Sequence, residues 1–216
     1  MFFANLPIIA CSIIYDDIKL ARFGVYFIRS SFQDRRKVNN FAKIFSYMNR
    51  LNNELRETAI GYGLCQKWQD EWNRDYSVEE LIEKFYTGID FCIEHNYPTN
   101  DFIKSNFGKE VLRDNNILVD DKFSLLNPTN AAVFGNSETK VRFNARNHGR
   151  IWCKDKARVS IYARNSSFVI VHVFDSAIVE ADGRDSSKLI VIRHSNECKI
   201  TCYGKAEEKE ELNMFN

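Results

Sequence analysis

The 216-residue sequence has no CxxC pair, no HExxH, no GxSxG, no kinase signature and no glycine-rich phosphate loop. Those absences remove the common zinc-peptidase, serine-hydrolase, kinase and P-loop chemistries. It has almost no net charge, +1, so the molecule as a whole is not an evident polyanion binder. It lacks a membrane-spanning run: the uncharged opening, MFFANLPIIACSIIY, is too short to cross a bilayer as a helix. That opening also lacks the basic start of a signal peptide, since no Lys or Arg precedes Lys19. Ile8-Ile9-Ala10-Cys11 resembles a lipoprotein cleavage box, but without a basic leader a buried strand or helix segment is the expectation.

What is present is ordinary for a globular chain: 44% hydrophobic, 27% charged and 13% aromatic residues, enough to build a core without staples. The six cysteines are scattered and mostly sit inside apolar patterns, which predicts reduced core thiols in a cytoplasmic protein. Charge is uneven. Lys and Arg against Asp and Glu number 7 to 3 over residues 1–47, 9 to 15 over 48–122, and 14 to 11 over 123–216. The middle is therefore acidic and both ends are mildly basic.

Four segments follow. Residues 1–47 are an aromatic-rich leader without clear helix caps, and Met48 is a candidate alternative start. Residues 48–122 read as a small helical domain. Leu51, Leu55, Ala59 and Ile60 recur at helical spacing, Ser77 with Glu80 forms a capping box, and Thr99 or Asn100 can cap a short helix after Pro98. Trp68 and Trp72 lie four apart on one helical face. Residues 123–204 change to period-2 alternation, and 205–216 form a charged cap predicted to make a final helical turn.

The alternating region repeats. RNHGRIWC from Arg146, RNSSFVIV from Arg164 and RDSSKLIV from Arg184 form one set, at intervals of 18 and 20 residues. KDKARVSI, FDSAIVEA, HSNECKITC and the earlier NSETKVRF form a second set between them. Like segments at alternate positions predict stacked coils with two strands each, about 10 residues per strand-turn and about 20 per coil. In a meander, alternate strands would have no reason to match. The fold class is therefore α+β: a small helical domain followed by a short two-sided β-solenoid.

Alternation sends Val141, Phe143, Ile151, Cys153, Val159, Ile161, Val169, Val171, Val179, Ala181, Leu189, Val191, Ile200 and Cys202 inward. On one sheet the outward positions are polar; on the other they are Trp152, Phe168, Ile170, Ile190 and Ile192. Such a stripe is predicted to be covered, either by the helices or by a second copy. Arg146, Arg164 and Arg184 open successive coils and form a candidate anion-binding ladder. His148, His172 and His194 differ in strand phase, so no metal or cofactor is expected. Asp175, Asp182 and Asp185 could serve a sugar-cleaving solenoid, yet are also what turns require.

The segments LRETAIGYGLCQKWQDEW and EELIEKFYTGIDFCIEHNYPTNDFIKSNF, with the turn-rich repeat after them, resemble an uncharacterised bacterial family found beside mobile-element genes. The likeness covers residues 48 to about 204, GIDFCIEHNYP being its most specific part. It implies two domains and no known activity. The functional expectation is a non-enzymatic binding or assembly module working through the outer solenoid faces, with self, another protein or a polyanion as partner and no membrane. The alternatives are a solenoid-face enzyme on a carbohydrate or nucleotide, or nucleic-acid binding through the arginines.

Overall fold

A computed structural model describes residues 35–212, with side chains from residue 43 onward. The lipoprotein-like Cys11 and most of the leader lie outside the described residues. The chain divides into two compact units, Met1–Gly108 and Lys109–Asn216.

The first unit is helical: α1 (Arg35–Gly61), α2 (Gln66–Glu71), α3 (Val78–Thr87), α4 (Ile89–Glu94) and α5 (Asn100–Asn106). Met48 lies inside α1 rather than at its start, and the neighbouring Tyr47 hydroxyl donates to the Asn106 carbonyl at 2.9 Å. Leu51, Leu55 and Ala59 are buried, whereas Ile60 turns outward. The capping box forms: Ser77 Oγ accepts from Glu80 N at 3.3 Å, and Glu80 Oε2 accepts from Ser77 N at 2.9 Å. Thr99 caps α5 through Phe102 N.

A buried polar clamp ties α1 to the segment before α3. Asn52, 2% exposed, donates from Nδ2 to the Met48 and Tyr76 carbonyls at 3.0 and 2.9 Å. Its Oδ1 accepts from Tyr76 N at 2.8 Å and Trp72 Nε1 at 3.2 Å. Every donor and acceptor of this amide is used, which is what allows it to be buried.

The second unit opens with α6 (Lys109–Asp114) and continues with β1 (Ile117–Val119), β2 (Leu125–Leu126), β3 (Asn130–Phe134), β4 (Glu138–Phe143), β5 (His148–Cys153), β6 (Arg158–Ala163), β7 (Phe168–Val173), β8 (Ile178–Gly183), β9 (Lys188–Arg193), β10 (Lys199–Gly204) and β11 (Ala206–Glu210). Odd strands form one parallel sheet, in the order β1-β3-β5-β7-β9-β11, and even strands the other, in the order β10-β8-β6-β4-β2. Val169 pairs with Leu189 and Val159 with Val179, so like stacks on like at a 20-residue period. The α+β solenoid read from the repeat is the observed fold, and β1 to β3 extend it toward the N-terminus beyond the matched repeats.

The interior is as expected: Val141, Phe143, Ile151, Cys153, Ile161, Val169, Val171, Val179, Ala181, Leu189 and Val191 have no exposed surface, and Ile200 and Cys202 are partly buried on the last coil. Volume is balanced within each coil. Phe143 faces Gly149, where a Cβ would lie 2.4 Å from Phe143 Cε1. One coil on, the same two positions hold Ala163 and Val169; another coil on, Gly183 and Leu189. The sum of the two side chains stays roughly level while the partition changes, as close packing requires.

The corners explain the recurrent Asn and Asp. Asp155, Asn165, Asp175 and Asp185 all take positive φ, which these residue types tolerate. Each carboxylate then caps the coil before it: Asp155 Oδ2 accepts from Gly135 N at 2.7 Å, Asp175 Oδ2 from Asp155 N at 3.2 Å, and Asp185 Oδ2 from Asn165 N at 3.0 Å. Buried Ser137, Ser167 and Ser187 return their hydroxyls to the carbonyls three residues back.

The ends differ from one another. At the first coil, Arg113 of α6 grips the buried Asp121 carboxylate with Nε–Oδ2 2.8 Å and Nη2–Oδ1 2.9 Å. At the last, residues 206–210 form strand β11 against β9 instead of the expected helical turn. The parallel ladder of β9 offers a run of unpaired backbone groups, and satisfying them outweighs the helix propensity of the Glu-rich tail. Glu207, Glu208, Lys209 and Glu210 make this edge a poor template for further pairing.

Candidate functional site

The outer side of the odd-strand sheet carries three columns. His148, Phe168 and Lys188 form the first; Arg150, Ile170, Ile190 and Glu207 the second; Trp152, His172, Ile192 and Lys209 the third. All five candidate interface residues, Trp152, Phe168, Ile170, Ile190 and Ile192, do point outward. In the single chain Trp152 and Ile190 are nevertheless buried, at 2% and 8% exposure, and Ile170 and Ile192 are half-buried. Phe168, at 40%, is the exposed member, with the Lys188 ammonium 5.9 Å from its ring centre.

The third column is built around a row of flat rings. The rings of Trp152 and His172 lie 5.9 Å apart and near-parallel, at 12°. His194 continues the plane, with His172 Nδ1 and His194 Nε2 at 3.0 Å, while Phe174 stacks on His194 at 4.5 Å. His194 Nδ1 lies 2.8 Å from the Glu211 carbonyl, which can only accept, so that nitrogen carries the proton. His194 Nε2 is then an acceptor, and His172 Nδ1–H donates to it. Both nitrogens facing each other are used, and among the described residues no three metal-ligating side chains come together. His148 stands apart, in line with Phe168 and Lys188.

Burial, then His194 and the Arg150 guanidinium, lower the His172 pKa to about 4. The unfolded chain protonates this ring near 6.5, above the folded value, so the stabilising contribution is complete above about pH 6.5 and erodes as pH falls toward 4. Discounted for partial exposure, the expected loss is about 2 kcal/mol between pH 7.5 and 4.5. Urea midpoints should follow it, and His172→Phe should flatten that slope; an equal slope in the variant would remove His172 as its source.

The arginine ladder keeps two of its three expected members. Phe143, Ala163 and Gly183 are in register, which places Asn144, not Arg146, level with Arg164 and Arg184. Arg146 falls two positions later, level with Ser166 and Ser186, because sequence likeness matched it at 18 residues while the hydrogen-bond register holds 20. Between the two aligned arginines lies a residue the sequence did not mark as their partner. Asp182 Oδ2 receives Arg164 Nη2 at 3.2 Å and Oδ1 receives Arg184 Nε at 3.1 Å. Arg184 and Arg164 together hold its carboxyl below the usual range. Lys205 joins the column from below, its Nζ donating to the Asp185 carbonyl. Its place was legible only once Gly204 paired with Gly183.

The corner running from the even to the odd sheet therefore gathers Arg146, Arg164, Arg184, Lys188 and Lys205 against Asp182 and Asp185, while Arg150 turns away from it, its guanidinium 5.8 Å from the Trp152 ring centre. All five of these corner cations but Arg164 are exposed, and Arg164 is half-buried. Asp175 lies at the opposite end of β8 and works in a turn, so Asp175, Asp182 and Asp185 do not converge as a glycosidase pair would.

The thiols separate by place. Among the described residues Cys92, Cys153 and Cys198 are buried, Cys202 is half-buried and Cys65 is exposed, and these five form no disulfide with one another. Burial pushes the Cys92 thiol up to about 12 and Cys153 well above its usual range, so neither is a nucleophile. Among the described residues no helix is long and apolar enough to cross a membrane. Comparison with protein-family models, with curated proteins and with solved structures finds no match.

Proposed function

We propose that the chain is a non-enzymatic binding module whose solenoid presents a rigid basic edge to single-stranded nucleic acid. The observation that carries this reading is the corner itself: five cations on adjacent rungs about 5 Å apart, with two carboxylates among them. Phe168, exposed beside that edge under Lys188, supplies a ring face on which a base can stack. The acidic β11 rung bounds the edge at one end. The bacterial mobile-element setting that the resemblance implies is part of this proposal, since such a setting supplies nucleic acid. Unpaired thiols suit a reducing, cytoplasmic compartment.

The test is fluorescence anisotropy of a labelled oligothymidine between 50 and 300 mM salt, at roughly the range over which phosphate contacts are lost. Arg164→Ala with Arg184→Ala should weaken binding at least about tenfold and make the log–log salt slope shallower by about 1 to 2. Asp182→Asn should steepen it. Phe168→Ala should weaken oligothymidine by about fivefold or more yet leave heparin unaffected, separating base stacking from charge alone. No saturable binding at low salt, or unchanged binding in the double variant, overturns the proposal.

Self-association is the second reading, favoured by the last coil. There Ile200, Cys202 and Ala206 are only partly buried, and β10 and β11 stand at the ends of their sheets among the described residues. Light scattering that gives a dimer, broken by Ile200→Lys, would select it.

A further inference from the structure

We propose that the helical unit holds a binding site for a small, uncharged, flat apolar molecule. The unit contains a cavity of about 340 Å³ walled by Leu55 and Ala59 of α1, Trp68 and Trp72 around the end of α2, Phe85 of α3 and Phe91 of α4. That volume lies at the lower end of the small-molecule range, and sites of this kind are apolar with few polar groups. A single hydrophobic core of this size would ordinarily close over such a space.

Three polar side chains around the cavity, Trp72, Tyr97 and Lys84, bear on the ligand's class, because each is already engaged. Trp72 Nε1 donates to Asn52 Oδ1 at 3.2 Å and the Tyr97 hydroxyl to the Leu55 carbonyl at 2.7 Å. The one charged lining residue, Lys84, is bound to Glu71 Oε2 at 3.0 Å and sits 5.0 Å from the Trp68 ring centre. Its ammonium already covers the ring face that a cationic ligand would seek, and it repels that ligand. Glu71 neutralises that ammonium, so an anion that gives up its hydration in the apolar space finds no uncompensated cation to offset the loss. Water entering the space finds little to bond to, so displacing it favours an apolar guest. Four aromatic side chains, Trp68, Trp72, Phe85 and Phe91, are among the walls, so a flat aromatic guest can gain offset ring contacts that an aliphatic one cannot.

The site is independent of the basic edge, and its test needs no nucleic acid. The probe is 1-fluoronaphthalene, followed by ¹⁹F NMR on the full chain. The expected result is saturable one-to-one binding in the micromolar range, a raised melting temperature, and methyl shifts at Leu55 and Leu81. Ala59→Leu, which fills the cavity from α1, should weaken binding at least tenfold without lowering the melting temperature. The anion 1-naphthoate should bind at least tenfold more weakly than the neutral probe. Absence of saturation, methyl shifts confined to the solenoid, full affinity in a folded Ala59→Leu, or naphthoate binding as tightly as the probe would each overturn the proposal. The methyl shifts in the unaltered chain decide the matter even where the variant fails to fold.

Discussion

Phe143→Ala is expected to destabilise the solenoid by about 3 to 5 kcal/mol, and Gly149→Val by about 1 to 3 kcal/mol, yet the two together by much less than the sum. The first opens a cavity in a fully buried position. The second drives a branched side chain into a space where a Cβ alone would approach Phe143 Cε1 to 2.4 Å. The double variant recreates the Ala163 and Val169 arrangement of the next coil, so the added valine occupies what the lost ring vacates. Recovery stays incomplete because the same Cβ meets the Pro128 carbonyl oxygen at 2.8 Å, and that atom is backbone. Guanidinium unfolding of the four chains gives the coupling directly; strictly additive losses would show that the pair does not share its volume.

Asn52→Ala should have a comparable effect on the helical unit, about 3 to 5 kcal/mol, and for a different reason. Removing the amide strands the buried Tyr76 N–H and Tyr76 carbonyl, each costing about 1 to 3 kcal/mol when left without a partner, and the half-buried Trp72 Nε1, which costs less. Few small helical units have that much to lose. Asn52→Asp keeps the acceptor for Tyr76 N–H and Trp72 but sets a carboxylate against the Met48 and Tyr76 carbonyls, so it should be no better tolerated. Near-ultraviolet dichroism in a Trp152→Phe background, at wavelengths where tryptophan alone contributes, reports this unit through Trp68 and Trp72. A melting transition unmoved within about 2 °C would show the clamp to be dispensable.

These two sites mark where sequence reading reaches and where it stops. The coil period, the inward ladder and the capping box were legible because each is a local or periodic pattern: alternation in VRF, IWC and VIV fixes the faces, and Ser77 with Glu80 fixes a helix start. The Phe143–Gly149 pairing was present in the repeat as F/G, A/V and G/L, but its meaning depends on knowing that residues six apart face one another across a corner. Arg146 misled because identity of residue type at 18 outweighed constancy of spacing at 20. Asn52, Asp182 and the His172–His194 pair were not legible at all. Each depends on partners 2 to 24 residues distant whose approach is set by tertiary packing, and a lone Asn in a helix gives no sign of being buried. The tail was misread for a related reason: its composition favours helix, and only the presence of β9 beside it makes a strand better.

The 20-residue register that holds from β3 to β9 has a corollary for how this molecule tolerates change in its own length. Removing one residue from a strand would turn every later side chain inside out, from core to solvent and back. Removing residues 164–183 would excise one circuit whole, joining Ala163 directly to Arg184 with every remaining strand face still in phase. Length in this half of the protein is thus a quantity that comes in units of one circuit, and relatives or engineered forms should differ by multiples of that unit while single-residue gaps are confined to the bends.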